Sequence, residues 1–192
     1  MKIINICYII NQKYLPLTLT SIDYIRRFFK ASDRYKLRFI VFGVDKLSHK
    51  DAAPDIELFD SPFGDMPICH QRARIFEILD VDKFIFLDSD TVFTTCISKL
   101  WEKNIEDNVI GAVQHYYFPT FGDMEKLYGI GPFLGFGARK FFNCGVLLVD
   151  LKKWRSQNIT AKYFRQIKTY EDSLHKNKDE PAMNLVLWDN WK

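Results

Sequence analysis

The sequence predicts an α/β fold, a largely parallel sheet with helices on both faces. Three observations lead there. Short apolar runs alternate with segments whose apolar residues recur at helical spacing. The run KFIFLD at 83–88 is apolar almost without a break, as in a strand covered on both faces. The length of 192 residues, with 47% apolar and 27% charged, suits one globular domain with a real core.

The elements follow in order. Residues 3–10 are a first strand. Pro16 sits where a first helical turn tolerates it, and Ile22, Ile25, Phe28 and Phe29 form one helical face. LRFIVFGV (37–44) and IELFD (56–60) are strands. ICHQRARIFEIL (68–79) is a helix with Ile68, Ile75, Phe76 and Leu79 on one side. Strands follow at 83–88, 109–113 and 146–151, then helices at 160–174 and 181–188. Residues 115–140 read as the longest irregular stretch, and such stretches often carry function. Within them YGIGPFLGFG (128–137) holds a G-x-G. It lies between no strand and long helix, so it reads as a flexible lid and not as a dinucleotide fingerprint.

Composition excludes several classes. The net charge of +3 is spread along the chain, and no Lys/Arg cluster offers a track for nucleic acid. Cys7, Cys69, Cys96 and Cys144 form no C-x-x-C pair and read as free thiols. The N-terminal MKIINICYIIN lacks a long apolar core and a cleavage site, so it reads as a strand and not a signal peptide. No run is long enough to span a bilayer. A cytoplasmic location is the expectation. His49, His70, His115 and His175 lack metal spacing and are expected in surface roles, and the four tryptophans in packing.

The chemistry concentrates in FIFLDSDTVF (84–93). Two carboxylates, Asp88 and Asp90, flank Ser89 at the end of an apolar strand. Ligands in such sheets bind at the carboxyl ends of strands. Three readings stand at this point. The pair holds Mg²⁺ or Mn²⁺ against a diphosphate. DSDTV is the nucleophile motif of a haloacid-dehalogenase-type phosphatase, a motif that belongs on a first strand. Or the aspartates only cap a turn.

Four segments shift this balance. DKFIFLDSD (82–90) is similar to D-K-V-L-Y-L-D-x-D, and FFNCGVLLVDLKKWR (141–155) is similar to F-N-A-G-V-L-L-I-D-L-K-K-W. KDEPAMNLVL (178–187) resembles D-Q-D-x-L-N, and IINQKYLPLTLTSI (9–22) resembles a loop N-x-x-Y followed by a helix. In this order, over nearly the whole chain, they resemble the family 8 glycosyltransferases. The resemblance implies a GT-A fold, the nucleotide-diphospho-sugar transferase fold, over residues 1–192. It also implies a nucleotide-sugar donor, UDP-linked in most members, Mn²⁺ with Mg²⁺ as substitute, and transfer with retention to an acceptor hydroxyl. Asp88 and Asp90 match the metal-binding D-x-D, with Ser89 between them at the donor. Asn11 and Tyr14 match the pair near the nucleobase, and Arg72 a cation reaching the diphosphate. Asn143 matches the asparagine at the donor sugar, and Asp179 and Glu180 the Asp-Gln pair beside the anomeric carbon.

Two departures stand out. Glu180 replaces the usual Gln, and Pro181 the following Asp. The chain also stops at Lys192, before the H-x-x-G-x-x-K-P-W segment that gives the family its third metal ligand. Either the sequence is truncated there, or water completes the metal shell. A domain that holds a nucleotide sugar without turnover is the remaining alternative. The acceptor, whether glycan, protein or lipid, is not readable from the residues.

Overall fold

Side-chain alternation within the strands decides the layering. Strand β1 (Lys2–Ile10) packs Ile4, Ile6, Tyr8 and Ile10 into one apolar cluster and Cys7 into another. Strand β4 (Lys83–Leu87) does the same, with Ile85 and Leu87 on the first face and Phe84 and Phe86 on the second. Successive residues of a strand point to opposite faces, so an unbroken apolar run requires cover on both. The computed structural model describes residues 1–30, 34–45, 47, 53–64, 66–128, 135–170 and 179–192 and supplies that cover.

The sheet has six strands. They are β1, β2 (Tyr35–Gly43), β3 (Ile56–Asp60), β4, β5 (Ile110–Gln114) and β6 (Phe142–Asp150), in the order β3-β2-β1-β4-β6-β5. β3, β2, β1 and β4 pair in parallel. β6 runs antiparallel to both its neighbours, β4 and β5. Its start therefore lies beside the ends of the parallel strands. Helix α1 (Leu15–Phe28) covers one face through Ile22 and Ile25. The second face carries α2 (Ile68–Ile78), α5 (Leu151–Ser156), α6 (Ile159–Thr169) and α7 (Asp179–Leu187). No described helix is long and apolar enough to cross a membrane.

Several elements differ from the sequence reading. The segment 115–140 is not irregular throughout: α4 (Phe121–Tyr128) lies inside it. Thr120 and Asp123 cap this helix reciprocally. The Thr120 amide and hydroxyl donate to Asp123 Oδ2 (3.2 and 2.6 Å), and the Asp123 amide donates to Thr120 Oγ1 (3.2 Å). A one-turn helix, α3 (Ser98–Trp101), and α5 were also unforeseen. The Asp150 side chain caps α5 by accepting from the Lys153 amide. The predicted helix at 160–174 is α6, which ends at Thr169; residues 171–174 lie outside the described residues, as do 129–134 of the proposed lid. α7 begins at Asp179, not 181. All four cysteines are free, as expected.

The second face is held by an aromatic knot. Phe76 of α2 is fully buried, with its ring 4.7 Å from Phe84, 5.4 Å from Phe86 and 5.3 Å from Trp154 of α5. The Trp154 indole N–H donates to Thr160 Oγ1 at 3.0 Å, and the Thr160 hydroxyl lies 3.1 Å from the Ala73 carbonyl of α2. The other tryptophans sit at edges against Lys83, Phe136 and Phe142, in the packing roles expected. Phe76→Ala removes the centre of the knot. It should cost about 3–5 kcal/mol, read as a lower midpoint in urea unfolding. A loss under about 1 kcal/mol would mean that α2 is held by other contacts.

Candidate active site

The chain leaves β4 at Leu87, and the next residue, Asp88, is still tied to the sheet because its amide donates to Gly145 of β6 (2.8 Å). This places Asp88, Ser89 and Asp90 at the ends of the parallel strands, at the mouth of a crevice. Asp88 follows the fourth strand, not the first, which disfavours the phosphatase motif. A cleft of about 300 Å³ there is lined by Ile9, Ile10, Tyr14, Leu17, Ile68, Asp88, Ser89 and Asp90. Two polar links from α1 hold its far wall. The Thr18 hydroxyl lies 3.0 Å from Ser89 Oγ, and Ser21 donates to the Thr91 carbonyl at 2.6 Å.

Arg72 of α2 ties the carboxylates together. Its guanidinium donates to the Cys144 carbonyl (3.1 Å) and to Asp88 Oδ1 (3.3 Å), lies 3.7 Å from Asp179 Oδ2, and packs 4.4 Å from the centre of the Phe86 ring. Only 12% of the side chain is exposed. Burial pulls its pKa down, but Asp179 and Asp88 more than offset this and raise it, so it stays charged. Asp88 shows the counterpart. Loss of solvation raises its pKa first, Arg72 lowers it, and the nearby Asp90 and Asp179 raise it again. Arg74, two residues on, turns away to Glu77 and the Phe164 ring, as two-residue spacing on a helix requires.

Glu180, next to Asp179 in the first turn of α7, meets the start of β6. Oε1 accepts from the Cys144 amide at 3.0 Å and lies 3.4 Å from the Asn143 amide nitrogen. Burial pushes its pKa up to about 7. The Cys144 N–H opposes that rise, Asp179 adds to it, Arg72 opposes it, and Asp88 adds the least. Asn143 does not precede β6, as expected, but lies within it. The β5–β6 ladder resumes past an irregularity at Val113↔Asn143. Its Oδ1 accepts the Gly145 amide at 2.9 Å. A Cβ on Gly145 would lie 2.9 Å from Asp88 Oδ2 and 3.0 Å from Asn143 Oδ1, so glycine is what lets both side chains close in.

Thus Tyr14, Asp88, Ser89 and Asp90 line the cleft, Arg72 joins Asp88 to Asp179 behind it, and Asn143 and Glu180 meet on the far side of Gly145 from Asp88. Asn11 follows β1 directly at the same end. Its Oδ1 is buried and has no hydrogen-bond partner among the described residues, an acceptor in want of a donor. Sequence reasoning missed three contributors. Asn184 pins α7 to β6: its side-chain amide accepts from the Phe142 N–H (2.7 Å) and donates to the Phe142 carbonyl (2.9 Å), and it is fully buried. It ends the very segment that resembles D-Q-D-x-L-N, so the signal was in hand. Gly145 lies within FFNCGVLLVDLKKWR (141–155), where the glycine is shared with the family pattern. His115 gave no signal. Expected at the surface, it is largely enclosed beside Glu180, and His70 is buried against the Tyr163 hydroxyl (3.0 Å). His49 and His175 lie outside the described residues.

The donor set at Asp88 and Asp90 suits a hard divalent cation. Among the described residues no group of three or more His, Cys, Asp or Glu could hold a metal. Two carboxylates with the rest of the shell left to water and substrate phosphates is how Mg²⁺ is usually held, and Mn²⁺ favours the same oxygen donors.

The family model "Glycosyl transferase family 8" matches residues 48–192. General stress protein A of Bacillus subtilis is 31% identical over 115 residues, 58% of this chain and 36% of that protein. Probable galacturonosyltransferase-like 4 of Arabidopsis thaliana is 34% identical over 108 residues, 51% of this chain and 30% of its own length. The chain thus spans about a third of the curated relatives it matches. Among solved structures, the galactosyltransferase LgtC with donor and acceptor sugar analogues superposes with a TM-score of 0.77 at 20% identity, covering 98% of this chain and 72% of that one. The glycosyltransferase GlyE of Streptococcus pneumoniae TIGR4 superposes with a TM-score of 0.71 at 18% identity, covering 100% and 45%. At such identities the likeness carries the fold, which is the GT-A fold.

The Glu180 shift has a sign. Between the ordinary value of 4.5 and about 7 the folded chain keeps a proton that the unfolded chain has released. The contribution of this group to stability therefore falls as pH rises through that window and is flat outside it. In Glu180→Gln, metal-free protein should lose that slope. The stability difference between pH 4.5 and pH 7.5 should shrink by about 2–3 kcal/mol in urea titrations. An unchanged difference would mean an ordinary carboxyl.

Proposed function

Because the chain belongs to glycosyl transferase family 8, we propose that it transfers a sugar from a nucleotide-diphosphate donor, UDP-linked as in most of the family it resembles, to an acceptor hydroxyl. We further propose that transfer is metal-dependent and retains the anomeric configuration. The observation that carries this reading is the cleft joining Tyr14 to Asp88, Ser89 and Asp90, with the buried Arg72 cation behind it. A nucleotide diphosphate needs a flat apolar wall for its base and positive charge for its phosphates, and the cleft has the first from Tyr14, Ile9 and Leu17. The unpartnered Asn11 Oδ1 suits a base N–H.

Asp88 and Asp90 would hold Mn²⁺ or Mg²⁺, which supplies Lewis-acid neutralisation of the departing diphosphate. Arg72 adds a fixed positive charge at the same place, already desolvated and oriented before the donor arrives. Asn143 offers its amide to sugar hydroxyls. Glu180 and Asp179 face the sugar side, where a carboxylate stabilises a cation-like anomeric carbon or attacks it. Glu180 in place of glutamine favours the carboxylate route, since an ionised carboxylate stabilises positive charge and attacks carbon better than a neutral amide does. Residues 115–140 would shape the acceptor side.

Thermal-shift titration of UDP-, GDP-, CMP- and dTDP-sugars, with and without Mn²⁺, tests this. A true donor at about 100 times its Kd adds about 2.7 kcal/mol and raises Tm by several degrees only with metal present. Asp88→Ala should abolish both the metal-dependent rise and sugar transfer. Release of phosphate from simple phosphoesters with Mg²⁺ would support the phosphatase instead. No metal-dependent shift with any nucleotide sugar would overturn the proposal.

A further inference from the structure

The two oxygens of Glu180 are held differently. Oε1 takes the Cys144 amide of β6, while Oε2 lies 3.9 Å from Nε2 of His115, at the far end of β5. His115 is fixed by its surroundings. Its ring stacks on Phe118 at 3.5 Å between centroids and 13° between planes, and meets Phe141 edge-on. Its Nδ1 accepts the backbone amides of Tyr117 (3.2 Å) and Phe118 (3.3 Å). Only 11% of the side chain is exposed.

These contacts choose the tautomer. An Nδ1 whose lone pair receives two amide protons carries none itself, so the proton of the neutral ring is on Nε2, pointing at Glu180. A second proton would have to go on Nδ1, against those two amides. His115 is thereby confined to one role, a neutral donor.

We propose that His115 is a positioning residue for Glu180: its Nε2–H holds Oε2 while the β6 amide holds Oε1, so that the carboxylate is oriented and kept available as an anion. The 3.9 Å separation is long for a hydrogen bond, as contacts in catalytic sites often are before substrate binds. The groups around Glu180 make such a donor useful. Burial, Asp179 on α7 and Asp88 after β4 disfavour its charge; the Cys144 amide on β6 and Arg72 on α2 favour it. Burial lowers the His115 pKa, consistent with a ring that stays neutral. The functional consequence rests on the glycosyl-transfer reading; the geometry does not.

The test uses donor-free chain, so it stands apart from turnover. In ¹⁵N-histidine NMR, His115, assigned through its backbone, should show the Nε2–H tautomer and remain neutral at pH 6. In ¹³C-carboxyl NMR, with the Glu180 signal identified by Glu180→Gln, His115→Phe keeps the stacked ring but removes the donor. It should raise the Glu180 midpoint by about half a unit to one unit. His115→Gln, which restores an N–H, should bring it part of the way back. Where a donor sugar is turned over, His115→Phe should lower kcat about 10-fold with KM little changed. A proton on Nδ1 in the parent chain, a measurement that needs no variant, would overturn the proposal. So would a Glu180 midpoint equal in the parent, His115→Phe and His115→Gln proteins. A chain with the expected tautomer and midpoint shift but no metal-dependent nucleotide-sugar binding would uphold this inference and reject the glycosyltransferase.

Discussion

The buried guanidinium of Arg72 is the constraint on which the site depends. Asp88, Asp90 and Asp179 converge on the rim of the sheet, and carboxylates so close repel one another. Arg72 lies between two of them and also takes a main-chain carbonyl of β6, so one cation ties α2, β4, β6 and α7 together. Its cost of burial is offset by these partners and by the Phe86 face beneath it. The strand that delivers Asp88 also supplies that face, so core and site share one element.

Much of this could be read from sequence because it is local. An unbroken apolar run ending in D-S-D specifies a central strand and its charged end. Helix α2 follows from the spacing of Ile75, Phe76 and Leu79, and the segments quoted for the family resemblance mark residues that converge in space. What escaped depends on partners far along the chain. His115 acquires its role only because β5 ends opposite the first turn of α7, and no neighbour within ten residues announces that. Asn143 falls ahead of a strand read as 146–151 until the bulge between β5 and β6 is known to return it to the ladder. Helix α4 was different. Its Thr120/Asp123 cap was present in the sequence, and Gly122 and the aromatic surroundings hid it.

The reversed direction of β6 gives the crevice its form. In an all-parallel sheet the rim would be built from strand ends and helix starts alone. Here the start of a strand also reaches it, so Asn143, Cys144 and Gly145 present main-chain groups beside Asp88. Backbone donors fixed in a ladder reorganise little, and such groups hold a carboxylate more firmly than those of a loop.

The clamp of Asn184 on Phe142 has one more consequence. It fixes α7 from behind, through its second turn, and the same side chain reaches back to the Glu180 carbonyl. The carboxylate thus takes its address from a residue one turn behind it, and the strand that presents Asn143 and Cys144 is the same one that anchors the helix facing them.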